Sequence, residues 1–220
     1  SEMCIRDSPF ADPYCSDKAC QTTWDYTSAR IITSSKKTIG PGNEITVCFK
    51  VPDGTGHWPA IWMLPQGFIE GNKTWPQDGE IDLMEARGRV PQAIGSAIHF
   101  ANSNNSHQYI SHEVTVPMNV NFQEKFHSIT FRWKQDNIEM YLDTNNEPFY
   151  TEGKSSTPFN NANYPFNEEF YLLLNVASGG NFDSNQIDPT KYCNNQQCTN
   201  LSDPDRGRFV IDYIEIKSID

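Results

Sequence analysis

The chain has 220 residues, a formal net charge of −11 and a pI near 4.8. That balance excludes a nucleic-acid partner, which requires a basic face, and sets the chain against polyanions in general. No run reaches the length of a membrane span, so no membrane partner is expected, and the length suits one β-rich domain with a full core.

From the start, residues 1–22 read as a tail or lead-in carrying Cys4, Cys15 and Cys20, and 23–220 as the main domain. Ser1 to Phe10 carry no periodic pattern and read as a tail or artefact. No charged start with an apolar segment opens the chain, so a removed secretion signal is expected. Apolar or alternating runs predict strands over 29–34, 43–51, 58–64, 79–86, 92–100, 112–117, 126–134, 137–143, 168–177 and 208–216. Gly, Pro, Asn or Asp clusters bound each run, and Lys134 to Asn137 reads as a hairpin turn between Phe131/Trp133 and Ile138/Met140. No segment sustains a helical period, so the chain reads as an all-β sandwich of two antiparallel sheets.

Six cysteines stand at 4, 15, 20, 48, 193 and 198. Cys15/Cys20 and Cys193/Cys198 each close a short polar loop and read as local disulfides of a secreted, extracellular protein, with a zinc site on those four as the alternative. Cys48 lies in an apolar strand and reads as a buried thiol. Asn72, Asn104 and Asn200 head glycosylation sequons.

The segment Trp75-Pro76-Gln77-Asp78-Gly79-Glu80-Ile81-Asp82-Leu83-Met84-Glu85 places three carboxylates within six positions of an apolar run. On a regular strand Glu80 and Asp82 share a face and Glu85 falls on the other. A β-bulge that absorbs one residue returns Glu85 to their side. The two glutamates would then sit about 13 Å apart at the backbone, at roughly 3.3 Å per residue. Side chains leaning inward bring the carboxyl groups to roughly 5 to 6 Å, against about 5 to 5.5 Å for a glycosidase that retains configuration. In that arrangement Glu80 is the nucleophile, Asp82 an assisting carboxylate and Glu85 the acid/base. The competing reading is an exposed edge strand with solvated acids.

Glu80-Ile81-Asp82-Leu83-Met84-Glu85 resembles the catalytic signature of glycoside hydrolase family 16, and Trp75-Pro76 with Gly79 resembles its laminarinase branch. Segments 26–31, 56–65, 126–133, 175–181 and 210–214 match in order, so the resemblance covers roughly 26 to 216. It implies a β-jelly roll with an open concave cleft, cutting inside a chain of 1,3- or mixed 1,3/1,4-linked β-glucan, as a monomer and with no cofactor needed for catalysis.

By position, Trp75 resembles the tryptophan beside the nucleophile, and Trp58 and Trp62 lie on one strand face, where one of them need meet sugar. Arg30 either hydrogen-bonds a sugar hydroxyl or pairs with a surface acid. His99 matches a histidine near the acid/base and is expected to hydrogen-bond Glu85, unless it is structural. Asn175 and Gly179-Gly180 bring backbone near the cleft or form a tight turn. His57, His107, His112 and His127 lack metal-ligand spacing, so no catalytic metal is expected. The resemblance implies a structural Ca²⁺ at Asp212, but its other half, an entry segment, is not recognisable before Thr23. Cys48 stands where relatives carry an arginine that touches the sugar. Alternatives on the same scaffold are a galactan hydrolase, a transglycosylase, or a glucan-recognition protein without chemistry, the last of which tends to lose the glutamates kept here.

Overall fold

The computed structural model describes residues 3–5 (backbone), 26, 28–160, 162–192 and 207–219. Thirteen strands are described: β1 (Met3–Ile5), β2 (Ala29–Ile32), β3 (Thr38–Ile39), β4 (Asn43–Lys50), β5 (His57–Pro65), β6 (Glu80–Ala86), β7 (Ala93–Ala101), β8 (His107–Thr115), β9 (His127–Trp133), β10 (Asn137–Leu142), β11 (Tyr150–Gly153), β12 (Phe170–Ser178) and β13 (Val210–Ser218). The one described α-helix, α1, is the single turn Gln66–Ile69. An eight-stranded sheet runs β1-β2-β12-β5-β6-β7-β8, with β3 also paired to β12, and a five-stranded sheet runs β11-β10-β9-β4-β13. All pairings are antiparallel, as the jelly-roll expectation requires.

The two sheets pack through alternate residues. In β9 (HSITFRW) every second side chain is buried, so Ile129, Phe131 and Trp133 point inward. They meet Ile45, Val47 and Phe49 of β4, Ile138 and Met140 of β10, and Ile61, Met63, Ile81, Ile98 and Leu172 of the other sheet. Each such buried side chain stabilises the fold by about 1.5 to 3 kcal/mol. Trp133 is fully buried and donates its indole N–H to the Phe166 carbonyl at 3.2 Å, so it serves the core. The Lys134–Asn137 turn closes with Lys134 N–H on the Asn137 carbonyl at 2.9 Å, and it pairs Trp133 with Ile138 and Phe131 with Met140 as expected.

Each of the ten predicted strands has a counterpart. The run expected over 112–117 begins earlier, at His107, because β8 is an edge strand with mostly exposed polar residues and no apolar alternation to read. The two-residue β3 and the four-residue β11 are too short to carry a period. Met3–Ile5, inside the segment read as a tail, pairs with Ala29–Ile31.

Cys48 is a free, buried thiol, pushed up by burial and by the charges of Asp212 and Asp143. It lies on β4 in register with Ser128 and Tyr213, in the five-stranded sheet. The buried thiol that its apolar strand predicts is what the structure shows, and β4 belongs to the sheet that does not carry Glu80, Asp82 and Glu85. The cysteine pairs 15/20 and 193/198, and the sequon at Asn200, lie outside the described residues. Asp212 is the extra residue of a bulge between Ile211 and Tyr213, and it is exposed. Among the described residues no trio of acid, histidine or cysteine side chains forms around it. The entry segment that the resemblance pairs with Asp212 lies before Thr23 and, apart from the Met3–Ile5 backbone, outside the described residues, so no step is assigned to that ion.

Candidate active site

β6 lies inside the eight-stranded sheet, between β5 and β7. Against β7, Asp82 faces Ala97 and Glu85 faces Gly95, so three steps on β6 match two on β7. Against β5, Asp82 pairs with Trp62 and Met84 with Ile61, which places the extra residue at Leu83. Leu83 and Met84 both enter the core with no exposed surface. The buried Ser96 hydroxyl donates to the Leu83 carbonyl at 2.6 Å and satisfies the acceptor that the bulge takes out of the ladder. Glu80, Asp82 and Glu85 thus share one face, as the sequence predicts.

These acids are largely withdrawn from solvent. Burial first, then the Asp82 charge, push Glu80 up to about 8, against the charge of His99 and a hydrogen bond from the Trp75 side chain. Asp82 is fully enclosed, and burial and the charge of Glu85 hold it well above the usual carboxylate range. Burial also raises Glu85, opposed by a hydrogen bond from Trp58 and by the charges of His99 and Arg87. Three carboxylates this close do not all ionise near neutral pH, so the cluster retains protons, as a site with both a nucleophile and an acid requires.

The tryptophans divide their work. Trp58 donates its indole N–H to Glu85 Oε1 at 2.9 Å, and its ring stacks on Phe182 at 4.9 Å. Phe182 is covered in turn by the Arg87 guanidinium at 4.2 Å. Gly180, at φ 97°, lies so close to Trp58 that a Cβ there would stand 2.9 Å from the indole ring, so the Gly179-Gly180 turn needs glycine to close over this tryptophan. Trp62 donates to Asn175 Oδ1 at 2.6 Å. Asn175 pairs with Arg30 on one side and with Ala60, the partner of Glu85, on the other. Arg30, Asn175 and Glu85 consequently occupy one cross-strand row, and Arg30 is exposed. Trp75 is 44% exposed at the rim. Its turn is fixed by Asp78, which accepts the Thr74 N–H at 2.7 Å, and by Gly79 at φ 88° against Phe166.

His99 departs from expectation. It sits in register with Glu80, and its Nε2 lies 3.0 Å from Asp82 Oδ2, so its neighbour is Asp82 and the hydrogen bond on Glu85 comes from Trp58. The sequence reading also missed His107. Its Nε2 lies 2.8 Å from His99 Nδ1, and its ring packs 4.6 Å from Trp75. Tyr109, opposite His99 on β8, extends this aromatic shelf. The signal was the β7–β8 register, which could not be drawn while β8 was placed at 112.

Fold and site together define a β-sandwich whose inner strand presents a cluster of proton-holding carboxylates between aromatic walls. Residues 12–194 match the model of glycosyl hydrolases family 16, and the chain belongs to that family. It is 38% identical over 164 residues to a glucan endo-1,3-beta-glucosidase A1 of Niallia circulans, covering 72% of this chain and 23% of that protein. It is 33% identical over 163 residues to a glucan endo-1,3-beta-glucosidase of Cryptopygus antarcticus, covering 72% and 57%. Among solved structures, the endo-beta-1,3-glucanase of Pyrococcus furiosus superposes with a TM-score of 0.74 at 29% identity, over 95% of this chain and 71% of that one. The chain thus spans about a quarter to three-fifths of the length of these curated relatives.

Proposed function

We propose that this chain is an endo-acting, retaining β-glucanase that hydrolyses internal 1,3- or mixed 1,3/1,4-linkages. One observation carries the reading: the bulge at Leu83 sets Glu80, Asp82 and Glu85 on one face, with an indole donor on each glutamate. Glu80 attacks the anomeric carbon as Glu85 gives its proton to the departing oxygen, leaving a glycosyl ester on Glu80. Glu85, now a carboxylate, takes a proton from water, the water oxygen bonds to the anomeric carbon, and Glu80 is released. Asp82, buried and proton-holding, orients Glu80 and limits repulsion while the nucleophile is charged.

A neutral polymer fits a chain of net charge −11 better than a sulfated one. Trp75, Trp62, Asn175 and Arg30 are the sugar contacts in this reading, and Trp58 positions Glu85. The reading of the cysteine pairs as local disulfides supports a secreted protein acting on polysaccharide outside the cell.

The test is incubation with laminarin, lichenan, agarose and carrageenan, with products resolved by size and anomeric configuration. Oligosaccharides of the β configuration from laminarin or lichenan are expected. Products from agarose or carrageenan alone would move the assignment to a galactan hydrolase. Measurable binding without any product would make the chain a recognition protein and overturn the proposal. A 2-deoxy-2-fluoro glucoside with a good leaving group should label Glu80, read by peptide mass.

A further inference from the structure

Glu80, Asp82 and His99 each bring a ligand-type atom into one cluster, all within 4.8 Å of one another. Asp82 Oδ2 is sealed from solvent and has no hydrogen-bond partner among the described residues. His99 Nε2 stands 3.0 Å from it, yet the two are not aligned as donor and acceptor. In the neutral tautomer that turns the Nε2 lone pair toward Asp82, the proton of His99 sits on Nδ1. That nitrogen has its acceptor, His107 Nε2 at 2.8 Å. A histidine whose second ring nitrogen donates to a neighbour, while the first faces a carboxylate, has the arrangement of a metal ligand with its supporting shell. Bond lengths of about 2.0 to 2.2 Å set neighbouring ligands on zinc roughly 3 Å apart. The His99–Asp82 separation meets that already, and rotation of the Glu80 side chain completes the trio.

We propose that Glu80, Asp82 and His99 form a binding site for a borderline divalent cation of the Zn²⁺ class, held in register by His107, which competes with substrate. The ion would use the Glu80 carboxylate that must attack the sugar, so the cation-bound and glycosylated states exclude one another. One imidazole with two carboxylates favours Zn²⁺ or Co²⁺ over Mg²⁺, which prefers oxygen ligands and sheds its waters reluctantly. The binding stands apart from the glucanase reading; the inhibition rests on it.

The test titrates Zn²⁺ into the whole chain by calorimetry, with Co²⁺ absorption as a second readout, and compares His99→Gln and Glu80→Gln, each checked for folding by near-UV circular dichroism. Using both variants keeps the test decisive if one fails to fold. The expected result is one fewer bound Zn²⁺ in each variant, which also separates this site from any on the cysteines. His107→Phe should weaken Zn²⁺ about tenfold or more. A soluble 1,3-glucan oligosaccharide should displace the ion, and EDTA should restore laminarin hydrolysis. Unchanged stoichiometry and affinity in a folded variant would overturn the proposal. If no glucan is cut but the variants still lose one Zn²⁺, the metal site stands and the glucanase reading falls.

Discussion

On the five-stranded sheet, Glu139 is buried and lies 2.6 Å from Lys134 Nζ and 2.6 Å from the Tyr141 hydroxyl, with the Arg132 guanidinium 3.9 Å away. Burial pushes its carboxyl up, but the bonds from Lys134 and Tyr141 outweigh that and hold it below the ordinary value. On the eight-stranded sheet, Glu80, Asp82 and Glu85 are desolvated too, and more deeply, and none forms an ion pair with a lysine or arginine among the described residues. All three rise. Burial alone therefore does not separate a structural acid from a chemical one. What separates them is whether cations and hydroxyls were placed to neutralise it.

The strongest way to break this comparison is by turnover. Glu80→Gln and Glu85→Gln should each lower kcat on a β-glucan by about 10²- to 10⁴-fold with the fold intact, whereas Glu139→Gln should leave kcat within about twofold. An active Glu80→Gln would sink the mechanism. Azide should rescue Glu85→Ala on an activated substrate and give the β-glycosyl azide.

Trp58→Phe tests the positioning of the acid/base. Its indole hydrogen bond favours the ionised Glu85, so removing it should raise the proton affinity of Glu85 and move the basic limb of the kcat profile to higher pH. A fall in kcat of about tenfold is expected, consistent with a charged hydrogen bond of about 1.5 kcal/mol. An unmoved basic limb would return Trp58 to a packing role.

Stability against pH should run in opposite directions on the two sheets. Glu80 is raised to about 8, so the folded state holds a proton that the unfolded chain releases, and stability falls as pH rises from about 4.5 to about 8. Glu80→Gln should remove that slope and raise the melting temperature by about 3 to 8 °C at pH 8, for about 1 to 3 kcal/mol, with a smaller gain at pH 5. Glu139 is lowered, so its contribution is full above the unfolded value and is lost as pH falls through the folded one. Glu139→Gln should cost about 1 kcal/mol at pH 7 and converge on the parent in acid. Thermal melts across pH check both signs. The smallest effect is expected from Arg30→Ala, a few-fold rise in KM with kcat preserved.

The legible and illegible parts divide along the same physical line. Strands with a buried face, such as β9, announce themselves through alternation, and the three acids of β6 stand out because they interrupt it. The bulge was legible because chemistry requires Glu85 on the face of Glu80. The neighbours of those acids were not. His99 was expected on Glu85 and lies against Asp82, since its reach depends on β6–β7 register. His107 and Phe182 come from an edge strand and a short 3-10 turn, where exposure removes the hydrophobic pattern.

The extra residue of β6 has a consequence for chain length. Glu80 and Glu85 are five residues apart, yet their partners His99 and Gly95 are four apart. Deleting Leu83 would leave the two strands in step, and plain alternation would still turn all three acids to the cleft. The loss would fall on the core side, in one buried leucine worth about 2 to 5 kcal/mol and in the carbonyl that Ser96 satisfies. A shortened chain that keeps measurable hydrolysis at a lower melting temperature would show it; a folded but inactive one would refute it. Active-site spacing and strand length are then separable quantities here, so the strand that carries the chemistry is one where removing a residue disturbs the reaction less than replacing one.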